Sequence, residues 1–133
     1  MTVTLTGSGG VSRDYPVVTD HSGYYTLTLT TAGPGAYNWR CKNPQTLATA
    51  GAAVLVGGTN NVDMGTLRAG DANNDNIVNS ADFSILRNTF GIGIGGQGYD
   101  ARADFNGDSV VNSTDFNLLK SNFGQAGAPP TNP

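Results

Sequence analysis

Two stretches of the sequence place oxygen-bearing side chains at short, regular intervals. Residues 71–82 read "DANNDNIVNSAD", and residues 104–115 read "DFNGDSVVNSTD". Each stretch has Asp or Asn at positions 1, 3, 5, 9 and 12, and position 7 is free to offer its backbone carbonyl. This is the spacing by which a loop of about twelve residues surrounds a hard cation with oxygen ligands. The sequence therefore predicts two metal-binding loops.

We expect one Ca²⁺ ion in each loop. The predicted ligands are Asp71, Asn73, Asp75, Ile77, Asn79 and Asp82 in the first loop, and Asp104, Asn106, Asp108, Val110, Asn112 and Asp115 in the second. Mg²⁺ fits less well because it demands tight octahedral geometry, and Zn²⁺ would require His or Cys ligands, which these loops lack. The alternative is a pair of solvated Asx turns. The shared spacing, and the helical pattern after each loop, favour metal binding.

Position 6 departs from the usual pattern of such loops, in which it is glycine. It is Asn76 in the first loop and Ser109 in the second. Asn tolerates the left-handed backbone conformation that this position requires, whereas Ser fits it less well. We therefore expect the second loop to be slightly strained or adjusted.

An internal repeat joins each loop to an amphipathic helix. Residues 71–91 recur as residues 104–124, with the same residue at each side-chain ligand position, which indicates paired structural units. Apolar side chains follow each loop at helical intervals and are expected to belong to the core. They are Phe83, Leu86, Phe90, Phe116, Leu119 and Phe123.

Residues 1 to about 68 have a different pattern, which is typical of short β-strands. The segments "VTLTGS", "YPVVTD", "YYTLTLTT", "AYNWRCK" and "AAVLVG" alternate or run apolar, with glycine-rich turns between them. We predict a two-part α+β chain, with an antiparallel β-sandwich at 1–68, a small α-helical calcium-binding domain at 70–124 and a proline-rich tail at 125–133. The predicted sandwich core is Val3, Leu5, Val17, Tyr25, Leu27, Leu29, Tyr37, Trp39, Val54, Val56, Val62 and Leu67.

Charge and cysteine content limit the possible functions and sources of stability. The formal net charge is -3, which argues against a nucleic-acid surface. Cys41 is the single cysteine, so neither an intrachain disulfide nor a thiolate metal site is possible. Because the aspartates of an empty loop repel one another, metal binding is expected to be coupled to folding and to stabilise the chain.

The repeated "D-x-N-x-D-x-x-V-N-x-x-D-F" pattern, with no helix ahead of either loop, resembles the type I-like dockerin domain and its duplicated F-hand calcium loops. The resemblance covers roughly residues 70–124. It implies docking on a cohesin-like β-sandwich in cellulosome-like extracellular assemblies that serve polysaccharide catabolism. It also implies that loop positions 10 and 11, with basic residues further along each helix, contact the partner. Those residues are Ser80, Ala81, Arg87, Ser113, Thr114 and Lys120.

The first half is similar to carboxypeptidase-regulatory-like β-sandwich domains. The similarity rests on "VTVTLTGS", "VVTDHSGYYTLT" and "TAGPGAYNW", and in such domains the "TD-x-x-G-x-Y" turn is structural. Family members have one more strand before the "VTLTG" strand. We therefore expect that first strand to be missing here, which would leave an edge unpaired and open to strand addition.

The sequence favours a non-catalytic, calcium-stabilised extracellular interaction protein over an enzyme. His21, in "DHSG", is expected to be an exposed turn residue, and Cys41 is expected to be a buried or half-buried strand residue. Neither has the neighbours that a catalytic triad or pair would need. No signal peptide and no membrane span is present, so the export signal is expected to lie outside this sequence.

Two other functions stay open. The chain could be a self-assembling subunit of an extracellular filament, whose copies bind head to tail by strand complementation or by contacts between the β-domain and the dockerin-like domain. It could also be a carbohydrate-binding module with a stacking platform made of Tyr24, Tyr25, Tyr37 and Trp39. Core packing explains these aromatic residues more simply than a platform does.

Overall fold

The computed structural model describes residues 1–130, and the last three residues of the predicted tail lie outside the described residues. The chain divides into two compact units. The sheet unit comprises residues 1–42, 49–66 and 128–130. The loop–helix unit comprises residues 43–48 and 67–127.

The sheet unit contains a four-stranded antiparallel sheet with the strand order β2-β1-β3-β4. The strands are β1 (Thr2–Gly7), β2 (Ser12–Pro16), β3 (Gly35–Lys42) and β4 (Thr49–Leu55). Together with the helices of the other unit, this sheet confirms the predicted α+β class. Residues 1–130 contain no second sheet, so the predicted sandwich is not confirmed.

Three predicted strands correspond to β1, β3 and β4, and the other two were misplaced. "YPVVTD" overlaps only the end of β2, which begins at Ser12. Residues 24–30 form no hydrogen-bonded strand, although half-buried Tyr25, Leu27 and Leu29 alternate with exposed neighbours. Alternating apolar and polar side chains indicate that one side of an extended segment is buried. They do not indicate whether a neighbouring strand pairs with that segment.

The predicted open edge at the first strand is wrong. β1 pairs with β2 on one side and with β3 on the other, so its backbone has neighbours along both edges. The outer strands of the described sheet are β2 and β4. Any strand addition to this sheet would therefore take place at β2 or β4.

The buried side of the sheet carries Val3, Leu5, Trp39 and Cys41, which confirms most of the predicted core on β1 and β3. Trp39 lies opposite Gly51, where an added Cβ would come within 2.5 Å of the indole ring. Because Trp39 and Gly51 share a face, Val54 lies on the opposite face and is 72% exposed. Val56 and Val62 are also exposed, so these three core assignments were wrong.

The loop–helix unit contains two α-helices and one short 3-10 helix. They are α1 (Ser80–Thr89), the 3-10 helix Ala101–Ala103 and α2 (Ser113–Asn122). Each α-helix begins at an Asn N-cap and has a capping box with the Asp three residues later. The predicted ligands at positions 9 and 12 of each loop are thus also the residues that start the helix.

Both repeats contribute to one core. Its buried members are Leu47, Val78, Leu86, Ala103, Val111 and Leu119. The predicted core positions Leu86 and Leu119 are confirmed, whereas Phe90 and Phe123 are 51% and 54% exposed. Each of these two phenylalanines caps its helix with an extended backbone, so its side chain leaves the buried helical face. Phe83 is 37% exposed, and its ring lies 6.1 Å from that of Phe116 at a tilted angle.

The chain that leaves each helix pairs with the loop of the other repeat. After α1, Ile94 N–H donates to the Ser109 carbonyl, and an isolated bridge joins Gly93 to Val110. After α2, Gly127 N–H donates to the Asn76 carbonyl, and the matching bridge joins residues 77 and 126. Residues 125–127, which the sequence assigned to the tail, therefore belong to the structured unit.

Candidate functional site

The two loops have the same backbone conformation at matching positions. At position 6, φ is 69° at Asn76 and 72° at Ser109, both in the left-handed region. Position 4 is left-handed as well, with φ of 62° at Asn74 and 72° at Gly107. Both loops therefore have the left-handed residue that this kind of loop needs at position 6, although neither has glycine there. The greater strain expected at Ser109 stays a prediction.

In the first loop, buried carboxylates accept hydrogen bonds from the loop backbone. Asp71 and Asp82 are both 0% exposed. Asp71 accepts from the backbone N–H groups of Asp75 and Asn76, each at 2.9 Å. Asp82 accepts from the N–H of Asn73 at 3.1 Å, so the last ligand position is tied back to the third. The ligand side chains are thus directed into the loop.

The second loop repeats this arrangement. Asp115 is 0% exposed and Asp104 is 7% exposed. Asp104 accepts from the backbone N–H groups of Gly107 and Asp108, and Asp115 accepts from the N–H of Phe105. Carboxylate oxygens of Asp104, Asp108 and Asp115 all lie within 4.8 Å of one another. Within residues 1–130 this is the one group of acidic, His or Cys side chains that meets that distance.

The carbonyl at position 7 is free in both loops. The crosswise pairing uses the carbonyls of Asn76 and Val78 in the first loop, and those of Ser109 and Val111 in the second. Residue 77 lies between the first pair and residue 110 between the second. Across the described residues, neither of these two carbonyls accepts a hydrogen bond. The predicted backbone ligand is therefore available on each loop.

This donor set fits a hard divalent cation. It combines carboxylate, amide and carbonyl oxygens, which are the ligands that Ca²⁺ prefers, at the spacing of a Ca²⁺ loop. Burying carboxylates such as those of Asp71, Asp82 and Asp115 is costly unless hydrogen bonds or a cation compensate their charge. A bound Ca²⁺ would neutralise these carboxylates and hold the loop against the first turn of its helix.

Two residues at this site were not assigned a ligand-related role from the sequence. The Tyr99 hydroxyl donates to Asp104 Oδ2 at 2.8 Å, and this bond raises the pKa of the phenol. The Gln45 carbonyl accepts from the N–H of Gly70, and the Gln45 side chain donates to the carbonyls of Ala101 and Asp104. The sequence contains a hint for Tyr99, because it is an aromatic residue that follows a glycine-rich run. Nothing in the sequence around Gln45 indicates its role.

The six residues expected to contact a partner are all exposed. Ser80 and Ala81 lie in the first turn of α1, and Arg87 lies in its last turn. The corresponding residues of α2 are Ser113, Thr114 and Lys120. The structure therefore presents matching residues on two helices, each of which begins within the last residues of a candidate metal loop.

The aromatic residues considered for carbohydrate stacking do not form an exposed platform. Trp39 is buried, and Tyr24 is exposed. The hydroxyl groups of Tyr25 and Tyr37 are engaged, by Met64 Sδ at 2.7 Å and by the Gly33 carbonyl at 2.8 Å. Packing within the sheet unit accounts for three of the four rings.

The remaining candidate residues have the structural roles expected of them. His21 is exposed in the turn that Asp20 stabilises, where the Asp20 side chain accepts from the N–H groups of Ser22 and Tyr24. Cys41 is 2% exposed in β3, and burial raises the pKa of its thiol. A raised pKa keeps the thiol protonated near neutral pH, which is the opposite of what a nucleophile needs.

Residues 69–124 match the family model of the dockerin type I domain. This segment is therefore similar to dockerin type I domains. Its match includes both candidate metal loops and both α-helices. No curated protein matches the chain. The similarity of residues 1–68 to carboxypeptidase-regulatory-like domains stays a prediction.

Solved structures with related folds include chains that contain dockerin domains. A C-terminal interface mutant of the type II Cohesin-X-Dockerin complex from Acetivibrio cellulolyticus has 19% identity, a TM-score of 0.72, and coverage of 94% of this chain and 82% of that chain. The N-terminal interface mutant of the same complex has 21% identity, a TM-score of 0.71 and the same coverage. At these identities the likeness concerns the fold. A type II cohesin-dockerin domain from Bacteroides cellolosolvens is 38% identical, with a TM-score of 0.38 and coverage of 45% and 90%.

Among the helices of residues 1–130, none combines the length and the apolar character needed to span a bilayer.

Proposed function

We propose that this chain is a non-catalytic interaction protein whose dockerin domain, stabilised by two Ca²⁺ ions, docks on a cohesin-like β-sandwich. The observation that carries the proposal is the exposure of all six expected contact residues, at matching positions of α1 and α2. The dockerin match over residues 69–124 supports it. The proposed ligands are the two sets of six residues assigned from the sequence.

The link between the ion and the docking surface is direct. Ser80 and Ala81 lie between Asn79 and Asp82, which are both proposed ligands and both part of the capping box of α1. Fixing these two ligands fixes the first helical turn, and with it the direction in which the contact residues point. The same relation holds at the start of α2.

An extracellular setting suits this chemistry. Loops of this kind in extracellular modules bind Ca²⁺ with dissociation constants of about 0.1–1 mM. A site in that range would be filled outside a cell and would remain a reversible source of stability. We therefore place the docking event in an extracellular assembly.

Binding to a panel of type I and type II cohesin domains tests this proposal, measured by calorimetry with Ca²⁺ and with excess chelator. We expect binding to at least one cohesin, and loss of that binding in chelator. Ala81→Arg and Thr114→Arg place a bulky cation on matching surfaces, so the double variant should bind far more weakly than either single variant. Val18→Arg, on an exposed residue of the sheet unit, is the control. Binding that survives both chelator and the double variant would contradict the proposal.

A second candidate function is self-assembly, and one feature of the sheet favours it. β4 is an outer strand, its sequence "TAGAAVL" has no charged residue, and Val54 on it is 72% exposed. Natural edge strands usually carry charges or prolines that discourage pairing. Electron microscopy and light scattering of the pure protein with Ca²⁺ separate the two candidates. Regular filaments that disappear in Ala52→Lys would favour self-assembly, and monomers that bind cohesin would favour docking.

A further inference from the structure

One aromatic side chain outside the loops contacts a proposed metal ligand. The hydroxyl of Tyr99 donates to Asp104 Oδ2 at 2.8 Å. The same oxygen accepts from the backbone N–H of Ser109 at 2.9 Å, while Asp104 Oδ1 accepts from Gly107 and Asp108. The carboxylate at position 1 of the second loop is thus held by its own loop and by one residue outside it.

Tyr99 is itself held in place by the fold. Its ring packs against the core cluster of the loop–helix unit, and its N–H donates to the Gly96 carbonyl at 3.2 Å. The next residue, Asp100, donates its N–H to the side-chain oxygen of buried Thr89 at 2.9 Å. The phenol therefore reaches Asp104 from a fixed support.

The first loop has no matching tyrosine. Tyr99 lies five residues before Asp104, and the residue at the same distance before Asp71 is Thr66. The two loops also differ in the distances between their carboxylate oxygens. Within the described chain, Asp104, Asp108 and Asp115 form a group with oxygens inside 4.8 Å, and the three aspartates of the first loop do not.

We propose that Tyr99 is a positioning residue for the second metal loop and makes that loop the tighter of the two Ca²⁺ sites. The inference rests on the proposed Ca²⁺ binding and deepens it by ranking the sites. Hydrogen-bond partners of ligating carboxylates fix their orientation, and their loss typically weakens metal binding by about 10–100-fold. A carboxylate that is already oriented loses less conformational freedom when the ion binds.

The test measures each loop separately in the full-length chain. Asp75 and Asp108 are exposed ligands at position 5 of their loops, so Asp75→Ala leaves the second site and Asp108→Ala leaves the first with little effect on packing. Tyr99→Phe is then added to each background, and Ca²⁺ binding is measured by calorimetry. This change keeps the ring and removes only the hydroxyl. Tyr24→Phe, at an exposed tyrosine, is the matched control.

We expect Asp75→Ala to bind Ca²⁺ more tightly than Asp108→Ala, and Tyr99→Phe to weaken the second site by about 10-fold while leaving the first unchanged. Thermal unfolding without Ca²⁺ should shift by the same amount in the two backgrounds, because each loses the same hydrogen bond. A loss of affinity confined to the second site therefore separates positioning from a general structural role. Equal losses in both loops, no loss in the second, or a tighter first loop would overturn the inference. If the unaltered chain binds no Ca²⁺, the proposed function fails with it. If the chain binds two ions and Tyr99→Phe has no loop-specific effect, only this inference fails.

Discussion

The two repeats of the loop–helix unit have the same local geometry and different supports. Their capping boxes, their left-handed residues at positions 4 and 6 and their free position-7 carbonyls match. The first loop, however, is supported at Asn76, whose side chain accepts from the N–H of Ala48 at 2.8 Å. The second is supported by Tyr99. The repeated residues therefore account for the matching geometry of the loops. Residues that are not repeated make the contacts that differ between the two loops.

Neither repeat is a complete folding unit. The segment after α1 pairs with the second loop, and the segment after α2 pairs with the first. Their leucines meet in one core, to which Leu47 from outside the repeats contributes a side chain that is 1% exposed. Because each loop takes backbone partners from the other half, we expect the two repeats to unfold together. Four measurements test whether the two loops differ in this way.

Removing Ca²⁺ should have the largest effect. At a dissociation constant of about 0.1 mM, about 10 mM Ca²⁺ stabilises the folded state by about 2.7 kcal/mol per site. Excess chelator should therefore lower the stability of the loop–helix unit by that amount for each filled site. Far-UV circular dichroism during urea unfolding would report the helices, and fluorescence of buried Trp39 would report the sheet unit. Unchanged unfolding of the helices in chelator would contradict calcium stabilisation.

Gly127→Ala should weaken the first loop selectively. An added Cβ would come 2.2 Å from Asn76 Oδ1 and 2.4 Å from the backbone nitrogen of Ala48, so the local backbone would have to move. We expect a loss of about 2 kcal/mol, typical of overpacking, and weaker Ca²⁺ binding at the first site. Urea unfolding and calorimetry would measure the two effects.

Gly57→Ala is the control for this change, because a Cβ there would meet nothing within 4 Å. If Gly127→Ala reduced Ca²⁺ affinity at the second loop instead, the crosswise pairing would not explain how the loops are supported.

Glycine substitutions at position 6 should have opposite effects in the two loops. Ser109→Gly removes a left-handed non-glycine residue and should stabilise the unit by about 0.5–1 kcal/mol, allowing for the greater freedom of glycine in the unfolded chain. Asn76→Gly should destabilise it by about 1 kcal/mol, because the N–H of Ala48 loses its acceptor. Equilibrium unfolding of both variants is the measurement. Stability changes of the same sign would show that the loops are equivalent at this position.

The smallest effect should come from the ion pair at the start of the second repeat. Arg102 bonds to Asp100 at 2.6 Å and lowers the pKa of that carboxyl, and the first repeat has Leu67 and Ala69 at the matching positions. A lowered pKa gives stability that is present above the unfolded pKa of about 3.9 and is lost as pH falls through the folded value. Arg102→Ala should therefore cost less than about 1 kcal/mol near neutral pH, since the pair is at the surface.

The difference between Arg102→Ala and the unaltered chain should shrink in acid. Urea unfolding of both proteins in chelator, compared at about pH 7 and about pH 3, would measure it. A difference that grew as the pH fell would contradict the assigned role of the pair.

Much of the loop–helix unit could be predicted because the sequence patterns that indicate it are local. Loop positions, helix starts and the buried Leu86 and Leu119 follow from a twelve-residue spacing and a helical period, which act within a few residues. The sheet was harder to predict. Residues 24–30 have the alternation of a strand without the pairing, and Val54 was placed on the wrong face, because a period of two does not say which face is buried.

Residue types at short spacing were enough to predict the two candidate cation loops and the helices that follow them. The six proposed partner-contact residues came from the resemblance to dockerin domains, and their contact with a partner stays a prediction. Only the tertiary structure showed that residues 43–48 and 125–127 belong to the loop–helix unit, and that Tyr99 reaches Asp104. Such contacts bring together residues from separate parts of the chain. They form only when the chain folds around a shared core, and a pattern of residues that are near one another in sequence does not predict them.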